Sequence, residues 1–85
     1  MSLPTIQPYT NSDNAVQFFD GQGNTYWFSY RTLIAFKSVD GPKVVRQNEW
    51  STTTGKHLNA IDGGDKKSRL NRVEFEHSFA QTFGQ

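Results

Sequence analysis

The chain predicts an α+β fold, an antiparallel meander of three or four strands followed by two helices packed on one sheet face. Three observations carry this reading. Apolar and β-branched segments fill residues 15–46 and are separated by turn residues. Four consecutive hydroxyl side chains at residues 51–54 introduce a helical stretch. Asn71 and Glu74 have the spacing of a capping box and open a second helix, in which phenylalanine recurs every four residues. With 85 residues there is room for one domain and a modest core.

Residues 1–14 hold Pro4, Pro8 and many small polar side chains, and read as an extended arm ahead of a single domain at residues 15–85. Leu3, Ile6 and Tyr9 are positioned to dock that arm on the body. Residues 15–19 are a short apolar strand. Residues 20–24, Asp-Gly-Gln-Gly-Asn, tolerate positive φ and make a hairpin. The second strand, residues 25–31, carries Tyr26, Phe28 and Tyr30 on one face and Trp27 and Ser29 on the other. Residues 32–37 form a third, with Leu33 and Ala35 opposite Ile34 and Phe36. No turn residue separates these two strands, so the join at Tyr30-Arg31-Thr32 reads as a bulge or sharp bend. Val39-Asp40-Gly41-Pro42 is a turn, and residues 43–46 are a fourth strand.

The first helix is expected to start near Thr53 or Thr54 and to run to about Ile61, with Gly63-Gly64 as its stop. Leu58 and Ile61 share the face that meets the sheet, with Trp50 as anchor just before the helix. In the second helix, Leu70 and Phe75 have the spacing of a hydrophobic staple, and Phe75, Phe79 and Phe83 form a stripe that belongs to the core.

Composition excludes several function classes. The apolar fraction is 34% but 14% of the residues are aromatic, so rings supply most of the core. Cysteine is absent, which removes disulfides and thiolate zinc sites, and two histidines alone do not make a structural metal site. No apolar run approaches the ~20 residues of a membrane span. No secretory signal is visible, and a soluble cytoplasmic protein without cofactor is expected.

Residues 50–61, Trp-Ser-Thr-Thr-Thr-Gly-Lys-His-Leu-Asn-Ala-Ile, invite three readings. Thr53, Thr54, Lys56 and His57 at a helix start suit an anion. A P-loop fails, because Trp50 stands where it needs glycine and His57 where it needs serine or threonine. Catalysis by His57 with a threonine lacks a carboxylate partner in the sequence. The plainest reading is a capped helix, with His57 and His77 in surface or packing roles.

The net charge of +1 conceals an asymmetry. All nine basic residues lie between Arg31 and Arg72 with only four acids, a local net of +5. Asp13, Asp20, Glu74 and Glu76 leave the flanks at −4. Such a basic middle attracts polyanions. If the two helices lie side by side, Lys56, Lys66, Lys67, Arg69 and Arg72 form one phosphate-binding patch, with Tyr26, Tyr30 and Trp50 as stacking or partner-binding aromatics.

The segments Thr-Tyr-Trp-Phe-Ser-Tyr-Arg-Thr-Leu-Ile-Ala-Phe-Lys at residues 25–37, Val-Val-Arg-Gln-Asn-Glu-Trp followed by Thr-Thr-Gly-Lys-His-Leu-Asn at residues 44–59, and Lys-Ser-Arg-Leu-Asn-Arg-Val-Glu-Phe-Glu at residues 67–76 follow a distinctive order. Over about Tyr26 to Phe79 it resembles a group of small uncharacterised proteins of tailed phages and prophages. The resemblance implies phage origin and the cytoplasm of a host cell, and it carries over no catalytic residue. The sequence thus predicts a non-catalytic binding module. Nucleic acid on the basic helical surface is the first partner to expect. A host protein on an exposed aromatic face of the Tyr26–Tyr30 strand is the alternative, and a homodimer that hides this face is compatible with either.

Overall fold

The computed structural model describes residues 3–50 and 52–84. Five strands precede two helices. β1 is Thr5–Pro8, β2 Ala15–Phe19, β3 Thr25–Ser29, β4 Thr32–Lys37 and β5 Lys43–Val45. α1 is Thr52–Asp62, a single 3₁₀ turn covers Lys66–Ser68, and α2 is Arg72–Phe83. The strands form one antiparallel sheet in the order of the chain. The α+β class is as expected, but the strands number five and not three or four. The extra one comes from the N-terminal arm, where Thr5–Pro8 pairs with Val16–Phe19. Tyr9 then packs against the core and donates its hydroxyl to the Phe28 carbonyl at 2.9 Å.

The helices do not share a face. Trp27, Ile34, Ala35 and Val45 cluster with Leu58 and Ile61 of α1. Tyr26 and Phe36 meet Phe79 and Phe83 of α2, and Phe36 also meets Phe75. Neighbouring strand residues point to opposite faces, so Trp27 and Tyr26, like Ala35 and Phe36, face different helices. The sheet is therefore the middle of three layers. The connection explains why. Gly63 and Gly64, at φ 69° and 89°, end α1 in the left-handed region that glycine accepts without cost. The chain then runs along the free edge of β5, where the Leu70 amide donates to Val45 at 2.8 Å and the Gln47 amide donates to Leu70 at 2.8 Å. It emerges beyond that edge and starts α2 on the far face.

Two local features of the central hairpin differ from the expected alternation. Trp27 pairs with Ala35 but Phe28 pairs with Leu33, so Ile34 is the extra residue of a β-bulge. The bulge turns Ile34 and Ala35 toward the same layer, and both are fully buried under α1. The turn at Tyr30-Arg31 is a two-residue connection in which both residues have positive φ, 52° and 78°. Hairpins of this shape favour Asn-Gly, and a tyrosine and an arginine here are strained.

The second helix starts as its sequence dictates. The Asn71 side chain accepts from the Glu74 amide at 2.8 Å, and Glu74 accepts in return from the Asn71 amide at 3.3 Å. Phe36 is the hub of that layer, with the rings of Phe75, Phe79 and Phe83 all within 5.3–5.4 Å of its own. Ser51, one of the four hydroxyl candidates for the first helix cap, lies outside the described residues.

Both sheet edges are blunted. On β5 the Leu70 segment occupies the open side. On β1 the register pairs Thr5, Gln7 and Tyr9 through their amides to β2, as the Tyr9 donation to Ala15 at 3.1 Å shows. The outward positions are Pro4, Ile6 and Pro8. Two of these three have no N–H to offer, which is a common defence of an edge strand.

Candidate functional site

The amino-terminal half of α1 is where the singled-out residues gather, though not all on the surface. Thr54 and His57 point inward. His57 Nδ1 lies 2.7 Å from the Ser29 hydroxyl, and Ser29 lies 3.1 Å from the Thr54 hydroxyl. All three are buried, with Ser29 2% and His57 3% exposed. The imidazole is boxed in by Tyr9, edge-on at 6.2 Å, and by Tyr30 at 5.9 Å. Burial pushes the His57 pKa below its ordinary value and so favours the neutral ring. Thr54 and His57, two of the four residues of this stretch expected to hold an anion, are thus part of a satisfied polar cluster beneath the helix. Ser29 was not singled out by sequence. Its signal was a lone small polar residue on the Trp27 side of an otherwise aromatic strand.

Above this cluster, Tyr30 and Trp50 are 50% and 41% exposed. Together with Ser29, Thr32 and Thr54 they line a pocket of about 240 Å³. Trp50 does not anchor α1 on the sheet, because Trp27 fills that place. Its ring instead carries the Arg46 guanidinium at 4.6 Å, and Arg46 also reaches Glu49 at 3.6 Å. That stack fixes the indole while leaving part of it open to solvent. Tyr26, the third expected partner-binding aromatic, sits beneath α2. It stacks on Phe18 at 5.9 Å and on Phe83 at 5.3 Å, and donates its hydroxyl to Asp20 at 3.3 Å. Burial raises the Tyr26 pKa, and the Asp20 charge and hydrogen bond raise it further. Tyr26 is therefore covered, whereas Tyr30 at the end of the strand is half exposed.

On the other flank of α1 lies a polar cleft of about 590 Å³, formed with the Gln47-Asn48 segment and the 3₁₀ turn. Lys56 and Lys66 line it, and their ammonium groups have no hydrogen bond or ion pair to any described residue. Arg69 also lines it, but is held from behind. Its Nε donates to Asp62 Oδ2 at 2.7 Å, and its Nη2 donates to Asp62 Oδ1 at 2.9 Å and to Asn59 at 3.0 Å. Burial pushes the Asp62 carboxyl up, but hydrogen bonds from Arg69 and Gly64 and the arginine charge outweigh it and leave the pKa below the usual value. Gly55 is part of the cleft wall, and a Cβ there would come within 3.0 Å of Asn48 Nδ2.

The remaining expected residues are dispersed. Thr53 is exposed on the first turn of α1, and Lys67 and Arg72 are exposed outside the cleft. The five-cation patch required helices side by side, and the sheet separates them. Lys43 is also occupied, donating to the Ile61 carbonyl at the end of α1 at 2.7 Å. Among the described residues no three His, Cys, Asp or Glu side chains group as metal ligands, and no helix is long and apolar enough to cross a membrane. What the site offers is two exposed rings, two unengaged lysines, a fixed arginine and several amides, around one helix start.

No curated protein and no solved structure matches the chain. A family model, described as a family of unknown function, matches residues 1–77. That match spans the whole sheet, α1 and the first half of α2, and the chain belongs to this family, DUF8033.

Proposed function

We propose that the chain is a binding module for single-stranded nucleic acid, and not an enzyme, with its contact surface at the amino-terminal half of α1. The observation that carries this reading is the shared pocket of Tyr30 and Trp50, two exposed rings on one flank of α1, with a cleft lined by Lys56 and Lys66 on the other flank. Exposed rings stack on bases of any sequence, and neighbouring cations follow the phosphates. The blunted edges argue against partners that extend the sheet. The sealed Ser29–His57 pair supports a structural role for the imidazole, as the seat of Tyr30.

Fluorescence polarisation with labelled single and double strands of DNA and RNA tests it. Single strands should bind, and Tyr30→Ala or Trp50→Ala should each cost about 1–3 kcal/mol of binding. If Lys56, Lys66 and one further cation touch phosphates, the slope of log K on log salt is about −2, and affinity falls about 20-fold between roughly 50 and 200 mM salt. Absence of binding at the lower salt overturns the reading. It would leave Tyr30 and Trp50 as contacts for a protein partner, recovered by pull-down after nuclease treatment and lost in the same two variants.

A further inference from the structure

We infer that the cleft beside α1 is a receptor for a phosphomonoester, borne either on the end of a strand or on a free mononucleotide. The central observation is Arg69. The residue is 6% exposed, yet it lines the cleft. Nε and Nη2 are committed to Asp62 and Asn59, whereas Nη1 has no hydrogen bond to any described residue. Nη1 is also not among the buried unsatisfied atoms, so it keeps some access to solvent. A guanidinium fixed by a carboxylate behind it and open at one nitrogen in front is a pre-organised anion donor. It loses little freedom when the anion arrives.

The charge count narrows the ligand. Arg69, Lys56 and Lys66 line the cleft and no carboxylate does, while Asp62 and Asp65 act on Arg69 from outside it. A phosphomonoester carries about −1.5 to −2 near neutral pH and engages more than one of these cations. An internal phosphodiester carries a single charge and leaves a cation unmatched. Neutral amides of Gln47, Asn48 and Asn59 complete the lining, as a sugar or base next to the phosphate requires. Gly55 fits the same account. Glycine inside a helix costs about 1 kcal/mol against alanine. Here it keeps α1 clear of Asn48 and the cleft wide.

Where the phosphate is a strand end, the inference rests on the single-strand reading above. The test therefore uses four probes: one oligonucleotide with a 5′-phosphate, the same with a 3′-phosphate, the same with hydroxyls at both ends, and the pair AMP and adenosine. A phosphorylated end should bind at least about tenfold more tightly than the hydroxyl strand, as one charge-assisted contact set provides. That gap should vanish in the Lys56→Ala/Lys66→Ala variant and persist in Lys67→Ala/Arg72→Ala. Equal binding of all three strands, with AMP binding and adenosine not, supports the receptor and assigns it to a free mononucleotide. The same AMP result with no strand bound supports the receptor and removes the single-strand reading. Equal strands together with no preference for AMP overturn the receptor, while the single-strand reading survives on the hydroxyl strand.

Discussion

Replacing Arg31 with glycine stabilises this fold. Arg31 sits at φ 78° and Tyr30 at φ 52°, the two central residues of the β3–β4 turn. A residue with a side chain costs about 1–2 kcal/mol in the left-handed region. Glycine removes that cost at position 31 but brings about 0.5–1 kcal/mol of extra chain entropy in the unfolded state. The Arg31 side chain is exposed and has no hydrogen bond or ion pair to a described residue, so its loss removes no polar contact. The net is a gain of about 0.5–1 kcal/mol. For a domain of this size that raises Tm by about 2–8 °C. Urea unfolding followed by Trp27 and Trp50 fluorescence gives the cleaner number, a midpoint higher by roughly 0.5–1 M at unchanged slope. An unchanged or lower midpoint would mean the turn stores no strain at Arg31, and the reasoning from φ would fall. The same change at Tyr30 relieves similar strain but removes the ring that packs on His57 at 5.9 Å, so it should gain less and lose strand binding.

Three further outcomes follow from the packing. Arg69→Ala leaves the Asp62 carboxylate buried without its partner and should cost about 3–5 kcal/mol, read by denaturant titration, with Asp62→Ala about as damaging and the double variant well short of the sum. The His57 pKa is lowered from 6.5 by burial, so the unfolded state takes up the proton first; stability is complete above about 6.5 and declines as pH falls toward the folded value, whereas Asp20 and Asp62, lowered from 3.8, lose theirs only below that value. Within the His57 window, below about 6.5, His57→Gln should flatten the pH dependence of Tm, and an equally steep decline in the variant would refute the assignment. Pro4→Thr/Pro8→Thr restores outward amides on β1 and should produce concentration-dependent association in size-exclusion chromatography with light scattering, where the parent chain shows less.

Elements with a local cause were legible in the sequence. β2 and β4 have the expected bounds, and the capping box at Asn71 and Glu74 forms as spaced. Phe75, Phe79 and Phe83 face the core because helical spacing places them on one side of α2. What was not legible depended on distant partners. Thr5–Pro8 becomes a strand only because β2 offers a free edge, and prolines in a polar stretch give no strand signal of their own. The placement of α2 on the second face depends on Leu70 docking along β5. The site was half legible for the same reason. Lys56, Lys66, Tyr30 and Trp50 lie exposed on the surface, but Arg69 is buried because Asp62 and Asn59, one turn apart on α1, come within its reach. Thr54 and His57 are buried by Ser29, a partner 25 and 28 residues distant.

The strained turn and the buried imidazole are best understood together. An Asn-Gly turn would close the same hairpin without strain, so folding alone does not ask for tyrosine and arginine there. Tyr30 gives the turn what Asn-Gly cannot, a half-exposed ring at the mouth of the pocket shared with Trp50. Holding that ring requires a support, and the His57 imidazole provides it from below, itself fixed by Ser29. On the opposite wall Arg46 fixes Trp50 in the same manner. Behind the cleft, Asp62 and Asn59 do so for Arg69. Tyr30, Trp50 and Arg69 are thus each held by polar or charged neighbours, and of these His57 and Ser29 are themselves buried. Unmade, those polar contacts would each cost about 1–3 kcal/mol, and an apolar core would carry no such risk. A fold that accepts strain in a turn, polar atoms in its core and glycine in a helix, all within a few residues of one surface, is arranged around that surface.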